Sequence, residues 1–312
     1  MHFFAWLFNF ANPIYQNDHQ TLHDCAVRLL QRWLNQDITI EDIKIKTQET
    51  FYENKKRNFI DIVIIINSSI CIIVESKTSS HLHSNQLNRY ADYAKQKYKN
   101  FIGIYLKTGN ESRAYQKNIH PFKAVNRQDL LNHFTPYKDK ISNDIFIDFI
   151  EYLQDIESKT QKFSIADLGE WESRQWQGFY QHLDNLNLLT WWGIVNNPTR
   201  PFLVADFKKK EWQAHNKMSY TIVFAIHEQQ LIFGIYDKIH KSTKIRNEFS
   251  KYLLSQAKGK FPEIKKLQKF GRGSFMKVAV IDNYWFDENK QYIGMNNLVE
   301  KLKNYHNFLL SL

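Results

Sequence analysis

Two acids and a lysine stand at the ends of short apolar runs. Asp61 follows Phe59-Ile60 and precedes Ile62-Val63-Ile64, and Glu75 closes Ile72-Ile73-Val74 with Lys77 two residues on. Side chains on an extended strand alternate, so Glu75 and Lys77 share a face while Ser76 turns away and leaves its carbonyl available. A hairpin across Asn67-Ser68-Ser69 would bring Asp61 alongside. Two carboxylates and the Ser76 carbonyl are the oxygen donors that a hard cation such as Mg²⁺ takes, Mn²⁺ being the alternative ion, with the Lys77 ammonium within reach of a water bound to that ion. Phosphodiester hydrolysis needs such a set, because the metal polarises the phosphate and a cation offsets the charge that builds on phosphorus. The competing reading is a solvated ion pair at a sheet edge. An acid at the end of a buried strand costs several kcal/mol to desolvate without compensation, which favours the metal site.

The elements that must position these residues follow from hydrophobic period. Residues 22–34 carry Leu22, Cys25, Ala26, Leu29, Leu30 and Trp33 at helical spacing. Strands are predicted over 43–51, 59–66 and 70–74, a helix over 84–99 with Leu87, Tyr90, Ala91 and Ala94 on one side, and a strand over 101–106. A strand at 123–125 and helices at 129–134 and 144–153 continue the unit, and the polar stretch 155–162 is the linker candidate. Beyond it, helices are predicted over 171–186, 243–257 and 296–310, a hairpin of strands 219–225 and 231–236, and a strand over 275–281. Their topology does not follow from pattern alone.

Ile60-Asp61, Val74-Glu75-Ser76-Lys77, and Gln86 with Tyr90 on the following helix resemble the PD-(D/E)XK nuclease superfamily and its Gln-x-x-x-Tyr feature. The proline of the motif is replaced by Ile60, a position with no metal-binding role. The resemblance covers roughly residues 20–130 and implies an α/β fold with a restriction-endonuclease-like αβββαβ core, followed here by a C-terminal α+β region. The expected division is a nuclease core over 1–155 and a basic domain over 163–312 that binds nucleic acid or regulates. By position, the resemblance implies that Asp61 and Glu75 are metal ligands, that Lys77 activates or orients water, and that Gln86 and Tyr90 support the site or touch the backbone of the substrate. Some members add an acid from the first helix. Asp24 and Glu49 are the two candidates here.

Of 312 residues, 42 are Lys or Arg and 32 Asp or Glu, a formal charge of +10. The excess is concentrated between residues 208 and 277, where 16 basic residues face 5 acidic ones. A polyanion is therefore the expected partner, with Lys208, Lys209, Lys210 and Arg272 as candidate contacts. Gly271-Arg272-Gly273-Ser274 would let backbone approach a phosphate, though a plain tight turn explains it equally, and Trp191, Trp192 and Trp212 could stack on unpaired bases if exposed. Cys25 and Cys71 are too few for a disulfide framework or a four-cysteine zinc site, and suit a reducing cytosol. His19 and His23 lack a third ligand and are read as cap or surface residues; His81 and His83 follow Lys77 in a connection and could assist proton transfer. Phe3 to Phe10 is an apolar run without a basic region or cleavage site, read as a core helix, and no run suits a membrane span. Phosphate-binding G-x-x-x-x-G-K-[ST] and nucleophile G-x-S-x-G motifs are absent, which removes nucleotide-driven motors and serine hydrolases.

The expected function is that of a Mg²⁺-dependent nuclease, on DNA rather than RNA and cutting internally, in the cytoplasm, in the range of restriction, phage defence or repair that the resemblance implies. A homodimer or a protein partner is compatible with it. Two rivals stand beside it: a nucleic-acid-binding module that does not cleave, and an effector nuclease held silent until a partner or ligand reaches its C-terminal half. Paired acids speak against the first, since they repel phosphate when no metal is bound.

Overall fold

The structure is a computed structural model describing residues 2–53, 55–82, 85–117, 119–165, 168–196, 201–237, 242–267 and 273–312. The chain divides into two compact units, residues 1–111 with 115–159, and residues 112–114 with 160–312.

In the first unit, helices α1 (His2–Asn9) and α2 (Gln20–Leu34) precede strands β1 (Ile43–Glu53), β2 (Lys56–Ile66) and β3 (Ile70–Lys77). Helix α3 (Gln86–Lys97), β4 (Asn100–Lys107), the single turn α4 (Arg113–Gln116), β5 (Phe122–Asn126), α5 (Arg127–Phe134) and α6 (Asp144–Gln161) follow, with Arg113 and Ala114 of α4 and the last two residues of α6 counted in the second unit. The sheet runs in chain order from β1 to β5. Pairing is antiparallel from β1 to β3 and parallel from β3 to β5, because a tight hairpin joins β2 to β3 whereas a helix carries the chain from β3 to β4. The hairpin turns on Asn67 and Ser68, both with φ near +50°, and Ser69 N–H donates to the Ile66 carbonyl. These are the dihedral signs of a type I′ turn, which matches the right-handed twist of the flanking strands.

Alternation then sorts the side chains of the sheet. Ile62, Ile64, Ile72, Val74, Ile104 and Leu106 pack under α1, α2, α5 and α6. Val63, Cys71, Ile73 and Tyr105 pack under α3. The result is three layers, α/β/α, with the central strands β2 to β4 covered on both faces. The N-terminal aromatic run is a core helix, in which Phe3 stacks on Phe149 with centroids 3.7 Å apart. Cys25 and Cys71 are free, buried on opposite faces of the sheet. The segment 155–162 is helical rather than an extended connection: α6 runs on through Gln161, with Ile156 and Thr160 buried and Lys159 paired to Asp155 at 2.7 Å, and the division between the two units falls inside it, after Lys159. Its polar residues form the outer face of an amphipathic helix, and composition alone reads that face as a linker.

In the second unit, α7 (Ser173–Asn185) precedes β6 (Leu189–Val195), β7 (Phe202–Phe207), β8 (Lys210–Gln213), β9 (Ser219–His227) and β10 (Gln230–Tyr236). Helix α8 (Thr243–Ala257), β11 (Lys265–Lys266), β12 (Phe275–Asp282) and α9 (Met295–Ser311) complete it. The strands form one sheet ordered β11-β12-β10-β9-β7-β6, with β8 pairing to β9. All three helices contribute to one apolar core against one face of it. Trp192 and Trp212 belong to this core, 2% and 8% exposed, so neither is available to stack on a base. Among the described residues, no helix is long and apolar enough to cross a membrane.

The connection after β4 is fixed by a close approach. Thr108 N–H donates to the Lys77 carbonyl at 3.1 Å, and a Cβ on Gly109 would lie 2.1 Å from the Thr78 carbonyl oxygen. Gly109→Ala should therefore destabilise the protein by about 1–3 kcal/mol, read as a lower urea midpoint with unchanged slope. A midpoint equal to that of the wild type would show that the two segments part freely.

Candidate active site

Asp61 and Glu75 sit one step beyond the last registered pair of the β2–β3 hairpin, Ile62 and Val74. Because the two strands are antiparallel, the acids stand side by side on the face that α3 covers. Asp61 Oδ2 accepts the Ser76 N–H at 2.8 Å, and Gln48 Nε2 lies 3.4 Å from Oδ1. In extended backbone the N–H and C=O of a residue point to the same side, so the Ser76 carbonyl also faces the Asp61 edge of β3. Lys77 Nζ lies 2.5 Å from Glu75 Oε1. An ion pair does form, as the competing reading required, but it is not solvated: the Glu75 side chain is 2% exposed and that of Lys77 14%.

Gln86 and Tyr90, one turn apart on α3, hold this arrangement from above. Gln86 Nε2 donates to Glu75 Oε1 at 2.8 Å and to the Tyr90 hydroxyl at 2.8 Å, and Tyr90 passes its own proton to the Phe59 carbonyl at 2.5 Å. Burial, and then the neighbouring Glu75 charge, push the Tyr90 phenol up to about 12, so it remains a donor. The chain from Glu75 through Gln86 and Tyr90 to the backbone of β2 ties the second acid to the strand that carries the first. Tyr90→Phe should remove one link without emptying the core, slowing cleavage by roughly tenfold at a cost of about 1 kcal/mol in stability. Single-turnover rates and thermal melts check this, and a rate equal to that of the wild type would make Tyr90 a packing residue only.

Glu75 Oε1 takes two donors, whereas Oε2 is buried and has no hydrogen-bond partner among the described residues. Burial first, and then the Asp61 charge, raise the Glu75 carboxyl to about 7. An orphaned, desolvated carboxylate oxygen beside a second acid is the chemistry of a cation site, and the residues present fit a divalent ion. The protein donors would be Asp61, Glu75 and the Ser76 carbonyl. Among the described residues, no group of three or more His, Cys, Asp or Glu is placed to hold a metal.

Neither candidate for a third acid joins the pair. Asp24 is exposed on α2, which packs on the other sheet face. Glu49 accepts Tyr93 OH at 2.9 Å and Lys97 Nζ at 2.7 Å, and the Lys97 ammonium holds its carboxyl below the usual range. His23 Nδ1 contacts the Phe10 carbonyl at 2.8 Å, and the His19 ring packs edge-on to Phe10, so the two imidazoles make no zinc pair. Of the basic candidates, Lys208 is exposed, Lys209 pairs with Asp206 at 3.0 Å, and Lys210 donates to the Leu310 carbonyl at 2.7 Å. Arg272, with Gly271, and His83 lie outside the described residues.

A polar cluster that the sequence reading missed lies on the next strand. Tyr105, in register with Glu75, donates to Glu111 Oε1 at 2.8 Å, with His81 Nδ1 3.4 Å and Lys107 Nζ 3.7 Å away. Lys107 also donates to the Ser80 carbonyl at 2.7 Å, so the cluster pins the segment that follows Lys77. The available signal was Lys107 at the end of the apolar run of β4, the counterpart of Lys77 on β3.

The order of elements and the placement of Asp61, Glu75, Lys77, Gln86 and Tyr90 define a restriction-endonuclease-like core. The chain belongs to the PD-(D/E)XK nuclease superfamily, whose family model matches residues 2–185. No curated protein matches the sequence. A solved structure described as a protein of unknown function, AF1548, is 12% identical over 49% of this chain and 91% of its own, with a TM-score of 0.23. Likeness at that level bears on neither fold nor function.

Proposed function

We propose that this protein is a divalent-metal-dependent nuclease that hydrolyses DNA internally, with Mg²⁺ as the ion and water as the nucleophile. The observation that carries the reading is the meeting of Asp61, Glu75 and Lys77 at one end of the β2–β3 hairpin, where Lys77 and Gln86 engage Glu75 Oε1 and Oε2 is buried without a hydrogen-bond partner among the described residues. When bound, a divalent ion polarises the scissile phosphate and lowers the pKa of nearby water. Asp61 and Glu75 would fix its position, and Gln86 keeps Glu75 in one rotamer by occupying Oε1. Lys77 holds a positive charge beside Glu75, where it orients the attacking water and offsets charge on the phosphoryl oxygens. Among the described residues no activated serine or cysteine nucleophile accompanies these groups, so direct hydrolysis is the simpler course. DNA is preferred over RNA on the range of the superfamily, and the basic stretch 208–277 supplies the charge expected of a polyanion partner.

The test is a panel of labelled single- and double-stranded DNA and RNA, incubated with the full chain in Mg²⁺, Mn²⁺ or EDTA, beside Asp61→Ala. Internal DNA cleavage in metal alone, lost in the variant, is the expected result. Cleavage that survives EDTA, or an Asp61→Ala protein as active as the wild type, would overturn it. Binding without cleavage under every metal would favour the non-cleaving module.

A further inference from the structure

The helices of the second unit cover one face of its sheet. The other face carries a cluster made of strand residues alone: Val204, Val223 and Ala225 are buried, and Trp191, Phe202, Tyr236 and Phe275 pack around them half-buried. Two glycines let rings lie against the sheet. A Cβ on Gly234 would meet the Phe275 ring at 2.4 Å, and one on Gly193 would meet the Trp191 ring at 2.9 Å.

These rings form a row. Phe202 lies 5.2 Å from His227 between centroids, His227 5.9 Å from Phe275, and Phe275 5.1 Å from Tyr236. Lys209 Nζ stands 5.0 Å from the Tyr236 centroid and neutralises Asp206 at 3.0 Å, which removes an acid that would repel an anion. Two polar groups within the row lack partners among the described residues. His227 Nδ1 is buried without a hydrogen bond. Lys277 is half-buried and makes no ion pair, and desolvation depresses its ammonium pKa. A half-buried, unpaired ammonium is costly unless an anion reaches it. Aromatic faces interleaved with such a cation are what a strand with unpaired bases uses: each base stacks and each phosphate finds a positive partner.

We propose that this sheet face captures single-stranded nucleic acid, with bases stacking on Phe275, Tyr236 and Phe202 and a backbone phosphate seated at Lys277. The proposal deepens the nuclease reading and rests on it for the identity of the polymer. It places strand capture in the second unit, on residues outside the candidate cleavage set. A paired duplex offers no exposed base faces, so the platform discriminates by strand state rather than by sequence.

The test is fluorescence anisotropy of a labelled 12-nucleotide single strand and the corresponding duplex with the full chain in EDTA, where cleavage does not intervene. The single strand is expected to bind at least about fivefold more tightly than the duplex. Lys277→Gln should weaken single-strand binding by roughly five- to tenfold and reduce the salt slope by about one phosphate contact, and Lys277→Arg should restore both. Phe275→Leu should weaken it by at least about fivefold with the salt slope intact. Thermal melts establish that each variant is folded; should Phe275→Leu fail to fold, the Gln and Arg pair at Lys277 decides alone. Equal affinity for duplex, wild-type binding by Lys277→Gln, or competition by thymidine monophosphate as effective as by the oligonucleotide would each overturn the proposal. The two readings fail separately, since the nuclease reading falls on the cleavage panel and this one on binding in EDTA.

Discussion

Glu75→Gln is expected to lower the cleavage rate by roughly 10³-fold or more while leaving stability within about 1 kcal/mol of the wild type. The two halves of that expectation come from the same geometry. Glu75 Oε1 is engaged by Lys77 and Gln86, and an amide oxygen can accept from both. What the substitution removes is the charge at Oε2, which no group among the described residues satisfies. For folding, that charge is a liability, because burial and the Asp61 carboxylate both oppose it. For holding a divalent ion it is essential, because a neutral amide gives up the electrostatic part of the bond. Lys77→Ala should also cost roughly 10²- to 10⁴-fold in rate, and it should lower stability rather than spare it, since Glu75 then loses the ammonium that compensates its burial. Single-turnover cleavage and differential scanning calorimetry on the three proteins give both readouts. A Glu75→Gln protein within tenfold of wild-type activity would remove the cation site from the mechanism. One that melts far below the wild type would show that the acid is structural.

The largest expected stability effect lies in the second unit. Asp184 is 2% exposed on α7 and accepts three donors: the Arg113 N–H at 2.8 Å, Arg113 Nε at 3.2 Å and Trp192 Nε1 at 3.1 Å. Through them the 112–114 segment and strand β6 are anchored to one helix end. Asp184→Ala leaves the indole N–H and a backbone N–H without a partner in the interior, each costing about 1–3 kcal/mol. A total near 3 kcal/mol should lower the melting temperature by roughly 6–12 °C. Arg113→Ala should cost less, because the guanidinium side chain is 41% exposed and its ion pair is screened by solvent. If Asp184→Ala melts within about a degree of the wild type, water has replaced the carboxylate and the anchor contributes little.

The site residues were legible in the sequence where the relevant geometry is local. The hairpin of β2 and β3 is short, its turn residues tolerate positive φ, and its apolar alternation fixes the register, so Asp61 and Glu75 had to meet. Lys77 followed from the two-residue period of a strand. Gln86 and Tyr90 were legible as neighbours on one helix face, but their task was not. Whether a glutamine touches metal, phosphate or a carboxylate depends on how α3 docks on the sheet, and here it grips Glu75 while Tyr90 grips Phe59. Glu49 was a reasonable third acid by position, and the fold commits it to Lys97 and Tyr93 instead.

The second unit was less legible for the same physical reason. Strands β6, β7 and β8 were not anticipated; β6 ends in exposed residues at the sheet edge, and a short strand is defined by the neighbour it pairs with as much as by its own pattern. Trp192 and Trp212 carry the same side chain as Trp191, yet two are core residues and one borders the open sheet face, a distinction that only packing makes. By itself, the sequence determined the elements of the first unit and the hairpin that joins two acids to one lysine, because side-chain alternation and turn stereochemistry act within a few residues. The tertiary structure alone decided which of the remaining charged and aromatic groups are satisfied internally and which are left without a partner, because desolvation and hydrogen bonding depend on neighbours that are distant in the chain.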